Sequence, residues 1–454
     1  MKYNVLFLVI DSLRSDKCYD TTKTSITPNI DSLIKQGIYF SQAISSIAST
    51  SPSMGSMFTG LFPFKTGMSN DTYEKLNADV PTYVEHLKKH GYTTFATTSE
   101  VNSFLGITED FDLKLESSTH NNYYGLFKGL GKKILAKIGS ILNEPWFFYI
   151  HINDLHQPIV VPESFDHPKY GETSYERMVS AIDSWIGELL KKINLENTLI
   201  VITADHGEYI RSLKINDQII NLESGMGEKT LWQIGNKIPS VLYGPKKKLS
   251  LYLHKIRNSR REKQIKNLSL SKYEERVLTT SRMSQGSHVY DDVLKVPLIF
   301  AGLNIKSSKI ISQQVGLVDV FPTIVALIGL ENLNSNIDGT SLIPLFTNQH
   351  LDEKPIFIQS MPYVTENHKN YVGIRTSDFK YVRDANNHEN FELFDLIRDP
   401  LEQHDVSHDF PEIVTKMENI LQNYLKQEIK PDSKKLDDVE RKKVEEELKK
   451  LGYI

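Results

Sequence analysis

Apolar and polar positions alternate along this chain in a regular way: short continuous apolar runs are separated by longer stretches with helical spacing. Asn4 to Ile10 is an unbroken β-branched and aromatic run, the mark of a strand covered on both faces in a parallel sheet. Thr27-Pro28-Asn29 opens a helix with Leu33 and Ile34 on its apolar face and Gly37 as its stop. Ile38 to Ile44 returns as a strand. Ser49 to Gly60 reads as the entry to a helix, with Pro52 and Ser53 suited to a first turn and Thr50 just before it. Further on, Pro81 to His90 predicts an amphipathic helix closed by Gly91, and Tyr92 to Thr98 a strand. Lys128 to Leu142 predicts a surface helix, Pro145 to Ile152 a core strand and Leu199 to Thr203 another. Such alternation predicts an α/β fold with a doubly wound sheet. Beyond Phe346 the pattern changes. Tyr371 to Val382 and Phe391 to Asp395 predict antiparallel strands, and Pro411 opens a helix from Glu412 to about Gln427. The tail from Leu436 to Leu451 carries acid-to-base pairs at i,i+4 and a stop at Gly452.

Three of the predicted strands discharge metal-ligating side chains at their carboxyl ends. Asp11 follows the first, Asp154 and His156 follow Ile152, and Asp205-His206-Gly207 follows Thr203. Ligands in open α/β sheets gather beyond those ends, and adjacent carboxylate and imidazole groups suit a divalent cation. His151 lies inside its strand and is expected to be a satisfied core histidine. Thr50, at the start of a helix where backbone N–H groups and the dipole favour an anion, is the candidate nucleophile.

Composition narrows the function classes. A chain of 454 residues with a net charge of −4 predicts a large core domain plus a smaller one, and gives no sign of nucleic acid as a partner. One cysteine, Cys18, excludes an internal disulfide and fits a reducing compartment. The opening MKYNVLFLVIDS reaches an acid at once, without a small-residue cleavage site, and no apolar run approaches the length of a membrane span. A cytoplasmic protein is expected. Between Glu208 and Gly286, Lys246 to Lys248, Lys255, Arg257, Arg260, Arg261, Lys263 and Lys266 form a basic run. It is read as a solvated insertion, with a flap or anion-binding patch as the functional alternative.

Taken together, the stretches LVIDSLRSD (8–16), TPNIDSLIKQGIYFSQA (27–43), TSPSMGSMFTGLFPFKTGM (50–68), HINDLHQP (151–158), TADHGE (203–208), GSHVYDDVLKVPLIF (286–300) and ELFDLIRDPLEQHDV (392–406) are specific. In this order the chain resembles a sulfatase-like hydrolase of the alkaline phosphatase superfamily. The resemblance implies a large mixed, mostly parallel sheet flanked by helices in residues 1–346, with an insertion at about 209–285. A small C-terminal α+β subdomain with a terminal helix would fill 347–454. It implies metal ligation by Asp11, Asp205 and His206, with Thr50 as nucleophile also touching the metal. His156 and His288 would contact the anionic group or protonate the leaving oxygen. Arg375 and Lys380 are expected at the surface.

Departures from the family pattern direct the choice of chemistry. True sulfatases carry Cys or Ser at the start of a C-x-P-S-R motif, matured to formylglycine, whereas this chain reads Thr50-Ser51-Pro52-Ser53-Met54. Threonine cannot become that aldehyde. The leading expectation is therefore a metal-dependent hydrolase or transferase of phosphate mono- or diesters through a covalent threonyl intermediate. The alternatives are a sulfuric ester hydrolase working without formylglycine, and an inactive binding protein of the same fold. Asp11-Ser12 and Asp205-His206 replace the family's frequent Asp-Asp and Asp-Asn pairs. That shifts the expected cation from Ca toward Mn or Zn, with Mg still open. A second divalent cation at Asp154, His156 and His288 is the alternative to a single-metal site. The expected partner is an anionic ester: a small molecule, a glycan or a lipid head group.

Overall fold

A computed structural model describes residues 3–68, 74–116, 118–119, 122–123, 125–141, 143–156, 159–215, 218–222, 259, 263, 265–266, 268–280, 287–303, 305, 308–330, 336–361, 370–427, 437 and 439–444. Of the basic run only Lys263 and Lys266 fall among them; Gly286 and most of the terminal helix, including Leu436, Leu451 and Gly452, lie outside.

The strands of the main sheet are β1 (Asn4–Ile10), β2 (Ile38–Ile44), β3 (Thr93–Thr98), β4 (Leu113–Glu116), β5 (Trp146–Ile152), β6 (Thr198–Thr203), β7 (Lys295–Gly302), β8 (Lys309–Ile311) and β9 (Val315–Gly316). Their order is β8-β2-β7-β6-β1-β5-β3-β4, with β9 beside β2. Every pairing is parallel except those of β7, which runs antiparallel to both β2 and β6. The sheet is thus mixed and mainly parallel. β1 lies at its centre with every residue buried, as its uninterrupted apolar run requires.

Helices cover the sheet. The first, α1 (Pro28–Gln36), has Pro at its start and Gly37 at its end. The second, α2 (Thr50–Thr59), begins at Thr50 itself, so Ser49 and not Thr50 is the flanking cap residue. It ends at Gly60, whose φ of 71° a glycine adopts without strain. The sequence pattern assigns no element to 174–190, yet α3 (Ser174–Leu190) is there, opened by a reciprocal capping box between Thr173 and Glu176. The helix expected at 81–90 spans Tyr83–Lys89, because Thr82 caps it by accepting from the Glu85 N–H. The surface helix expected at 128–142 spans Leu130–Ile138 and is preceded by a tight turn at Leu126–Lys128.

A second, antiparallel sheet follows from β10 (Ile356–Gln359), β11 (Tyr371–Arg375), β12 (Phe379–Asp384) and β13 (Phe391–Asp395), in that order. Its own helix, α4 (Pro411–Leu425), buries Met417 and Leu421 in the adjoining core. The two sheets meet at the segment leading into α2: the Gln359 N–H donates to the Ser46 carbonyl at 2.8 Å, and Ile47 bridges Gln359. Arg375 and Lys380 are not at the surface. They are 1% and 0% exposed, tied to Asp291 and Glu402. Lys380 Nζ lies 2.5 Å from Asp291 and 2.6 Å from Glu402, and Arg375 Nη2 lies 2.7 Å from Asp291. Burial of two cations is tolerable here because each meets a carboxylate.

Candidate metal centre and nucleophile

Register in the sheet decides what converges at its carboxyl edge. Val9 of β1 faces His151 of β5 on one side and Thr203 of β6 on the other. Side chains two residues apart on a strand share a face, so Asp11 and Asp205 rise on the same side as His151, one step further along. The Asp11 N–H continues the ladder by donating to the Ile152 carbonyl at 2.9 Å. One ligand atom from each of Asp11, His151 and Asp205 lies within 4.8 Å of the others, and all three residues are buried.

Each acid has one oxygen fastened by protein donors. Ser12 Oγ donates to Asp11 Oδ1 at 2.6 Å. Asp205 Oδ1 accepts from the Ser12 N–H at 3.1 Å and from the His206 N–H at 2.9 Å. Asp205 Oδ2 and His151 Nε2 are buried with no hydrogen-bond partner, a costly state unless something else meets them. Ser12 performs its double role from a left-handed backbone, φ 64°. Its carbonyl accepts from the Tyr175 hydroxyl of α3 at 2.7 Å, so the unexpected helix holds the strained turn in place. Burial opposes ionisation of Asp11, yet His156, His151 and His206 together hold its carboxyl well below the ordinary range. Two acids and an imidazole that keep free lone pairs turned toward one another fit a divalent cation.

Thr50 stands half-buried at the first position of α2. Ser53, one turn on, donates through Oγ to the Asp205 carbonyl at 2.7 Å and lies 3.1 Å from Ser45 Oγ, which pins the helix start against the end of β6. Thr50 Oγ1 then lies 3.5 Å from His206 Nε2. The other ring nitrogen, Nδ1, lies 2.7 Å from the Gly207 carbonyl; it must donate there, so in the neutral ring Nε2 carries the lone pair. Burial alone would lower the affinity of His206 for a proton, but Asp205 and Asp11 raise it above the ordinary value. Gly207 is needed for close approach: a Cβ there would collide with the Asp292 carbonyl. Met54, in the slot of the family's arginine, is fully buried.

The remaining candidates are not members of the Asp11, His151 and Asp205 group. Both Asp154 carboxylate oxygens lie about 3 Å from the Leu126 N–H, at 3.0 and 2.9 Å, and burial pushes its carboxyl up to about 6. His156 sits on the turn after β5, its N–H donating to the Asn153 carbonyl at 3.0 Å, near enough to Asp11 to favour that carboxylate's charge. His288 Nδ1 is 3.1 Å from the Tyr209 hydroxyl. Among the described residues the group of metal-ligating type is Asp11, His151 and Asp205. His151, expected to be a satisfied core histidine, is thus the member that the sequence reading passed over.

Residues 3–271 match the protein family described as Sulfatase, and residues 284–430 match the one described as N-sulphoglucosamine sulphohydrolase, C-terminal. The chain belongs to the sulfatase family. Within it, arylsulfatase K of Gallus gallus is 23% identical over 92% of this chain and 82% of that protein. Arylsulfatase K of Homo sapiens is 31% identical over 30% of this chain and 27% of its own length. Among solved structures, the phosphonate monoester hydrolase of Agrobacterium radiobacter superposes with a TM-score of 0.67 at 15% identity, covering 94% of this chain and 96% of that one. A protein solved in complex with its substrate D-glucosamine-2-N,6-O-disulfate gives 0.66 at 18% identity, with 96% and 100% covered. This sulfatase-family chain is accordingly a hydrolase of the sulfatase and alkaline phosphatase superfamily, whose enzymes bind a divalent metal. No described helix is long and apolar enough to cross a membrane.

Proposed function

We propose that the chain transfers the phosphoryl group of a phosphate mono- or diester to Thr50 and then to water or another acceptor. The observation that carries this reading is the placement of a threonine hydroxyl, unable to mature to an aldehyde, 3.5 Å from an imidazole nitrogen that holds a lone pair. Asp11, Asp205 and His206 would hold a divalent cation beside Thr50, Mn or Zn in preference to Ca because the donors include imidazole. When bound, the cation supplies charge to offset what develops on the transferring group.

The chain's own residues do the rest. Thr50 Oγ forms the bond to phosphorus while the bond to the leaving oxygen breaks, and the hydroxyl proton is released to water, because the single lone pair of His206 Nε2 would be engaged by the cation. His156 or His288 gives a proton to the departing alkoxide. The positive end of α2 favours the anionic ester over Thr50. Asp154, held by the Leu126 N–H, serves as a support of that loop in this single-metal reading. The anionic ester is a small molecule, a glycan or a lipid head group, and the lone cysteine supports a reducing, cytoplasmic setting.

The curated relatives' names favour a second reading, sulfate-ester hydrolysis by the same hydroxyl without formylglycine. Paired assays on aryl phosphate, phosphodiester and aryl sulfate with added Mn, followed by acid quench and peptide mapping, separate the two. Phosphate-ester turnover with a phosphoryl group on the Thr50 peptide, lost in Thr50→Ala together with turnover, is the expected result. Turnover of the sulfate ester alone would replace the first reading with the second.

A further inference from the structure

We propose that His151 is itself a metal ligand through Nε2, and that Tyr149 is the residue that positions it. This rests on the reading of the site as a metal centre. His151 and Tyr149 are two residues apart on β5, on one face of the strand, and both are buried. Tyr149 Oη lies 2.6 Å from His151 Nδ1. The other nitrogen, Nε2, is buried without a hydrogen-bond partner, 3.6 Å from Asp11 Oδ2 and within the group that includes Asp205.

An ordinary buried His–Asp pair would close to hydrogen-bond distance, because an imidazole N–H left short of its acceptor loses the bond that makes its burial tolerable. The longer gap suits two donors of lone pairs that face a common third party. Asp11 and Asp205 are arranged in the same manner, each with Oδ1 fastened by Ser12 or by backbone N–H groups. The three residues therefore repeat one design: one atom anchored by the protein, another turned inward. Ligation through Nε2 requires the proton on Nδ1, and a tyrosine hydroxyl can accept that proton as readily as it can donate. Tyr149 is thus compatible with that tautomer and fixes the ring plane, as outer hydrogen-bond partners of metal-bound histidines do. Two carboxylates and an imidazole make a donor set for a transition dication over calcium.

The test is zinc loading of the full-length wild type and of His151→Gln, Tyr149→Phe and His206→Gln, read by competition with a chromogenic chelator and by X-ray absorption at the zinc edge. Expected results are a drop in affinity of at least about tenfold in His151→Gln with loss of one imidazole from the scattering. Tyr149→Phe should bind roughly ten- to a hundredfold more weakly with its imidazole retained. His206→Gln must still show imidazole scattering, which keeps the proposal testable should His151→Gln fail to fold. A His151→Gln protein that matches wild type in affinity and scattering, or a His206→Gln protein with no imidazole on the metal, overturns the proposal. Wild type that takes up no zinc at all overturns the metal-centre reading beneath it.

Discussion

Two buried clusters of charge in this molecule are built on opposite plans. At the carboxyl ends of β1, β5 and β6, Asp11 and Asp205 are met by a serine, backbone N–H groups and histidines, and Asp205 Oδ2 is left without a hydrogen bond. Behind the second sheet, acids and bases close on each other. Asp291 is gripped by Arg375 and Lys380, Lys380 also meets Glu402, and Asp292 pairs with Arg14 at 2.7 Å and Arg276 at 3.3 Å. In the second arrangement each acid faces a basic side chain of the protein. The first gathers two acids and an imidazole that could hold a cation. The contrast shows how burial of charge separates scaffold from site: a neutralised cluster specifies how parts dock, whereas an excess of inward lone pairs specifies a ligand.

The largest expected effect breaks the closed cluster. Asp291→Asn leaves buried Arg375 without a carboxylate and Lys380 with Glu402 alone, and should destabilise the protein by about 3–5 kcal/mol, measured by urea unfolding in the presence of chelator. Asp205→Asn keeps an oxygen to accept from the Ser12 and His206 N–H groups and strands no cation. Under the same metal-free conditions it should change stability by less than about 1 kcal/mol, or even raise it, while abolishing turnover. Equal losses in the two variants would dissolve the contrast.

Metal addition should act on one cluster alone. At a hundred times its dissociation constant, Mn or Zn is expected to stabilise wild type by about 2.7 kcal/mol. The increment should survive in a mild variant of the closed cluster and vanish in Asp205→Asn, as followed by thermal melts with and without chelator.

Much of this contrast was legible in the sequence, and the illegible parts have physical causes. The continuous apolar run of β1, the Pro28 and Gly37 signals around α1, and the Asp205-His206-Gly207 strand end all depend on local pattern, which one sequence carries. His151 was missed because its meaning depends on register: only once Val9 is set between His151 and Thr203 does a strand-interior histidine fall beside two acids. Arg375 and Lys380 read as surface residues because isolated basic side chains usually are, and their partners Asp291 and Glu402 are far away in sequence. The helix α3 carries a local signal in Thr173 and Glu176, a capping box ahead of apolar residues at helical spacing.

Gly207→Ala probes the seam between the clusters. Its new methyl would press on the Asp292 carbonyl, and the Gly207 N–H donates to the Val293 carbonyl at 2.9 Å. A cost of about 1–3 kcal/mol is expected. His206 takes its orientation from the Gly207 carbonyl, so turnover should fall more than stability does; unchanged activity would show that this carbonyl does not set the ring.

The smallest effect is a pH dependence inside the closed cluster. Burial pushes the Glu402 carboxyl up from 4.5 to about 7, with Asp291 beside it adding to the rise and Lys380 opposing it. A carboxyl whose folded-state value is raised binds its proton more tightly folded than unfolded. Between about pH 4.5 and pH 7 the folded state therefore holds more protons, and stability from this group declines as pH rises through that window. Glu402→Gln removes the titration while leaving an oxygen able to accept from the Asp291 N–H, which Glu402 Oε2 now meets at 2.7 Å. The variant should be less stable near pH 5, where the protonated acid serves best. It should also have a flatter profile, with about 1–2 kcal/mol of the wild-type slope gone. Urea midpoints measured in chelator from pH 5 to pH 8, a range taken to span roughly the carboxyl's shifted titration, decide the matter. A variant that keeps the wild-type slope would mean that Lys380 holds Glu402 ionised throughout, and that the closed cluster is neutralised even more fully than its geometry indicates.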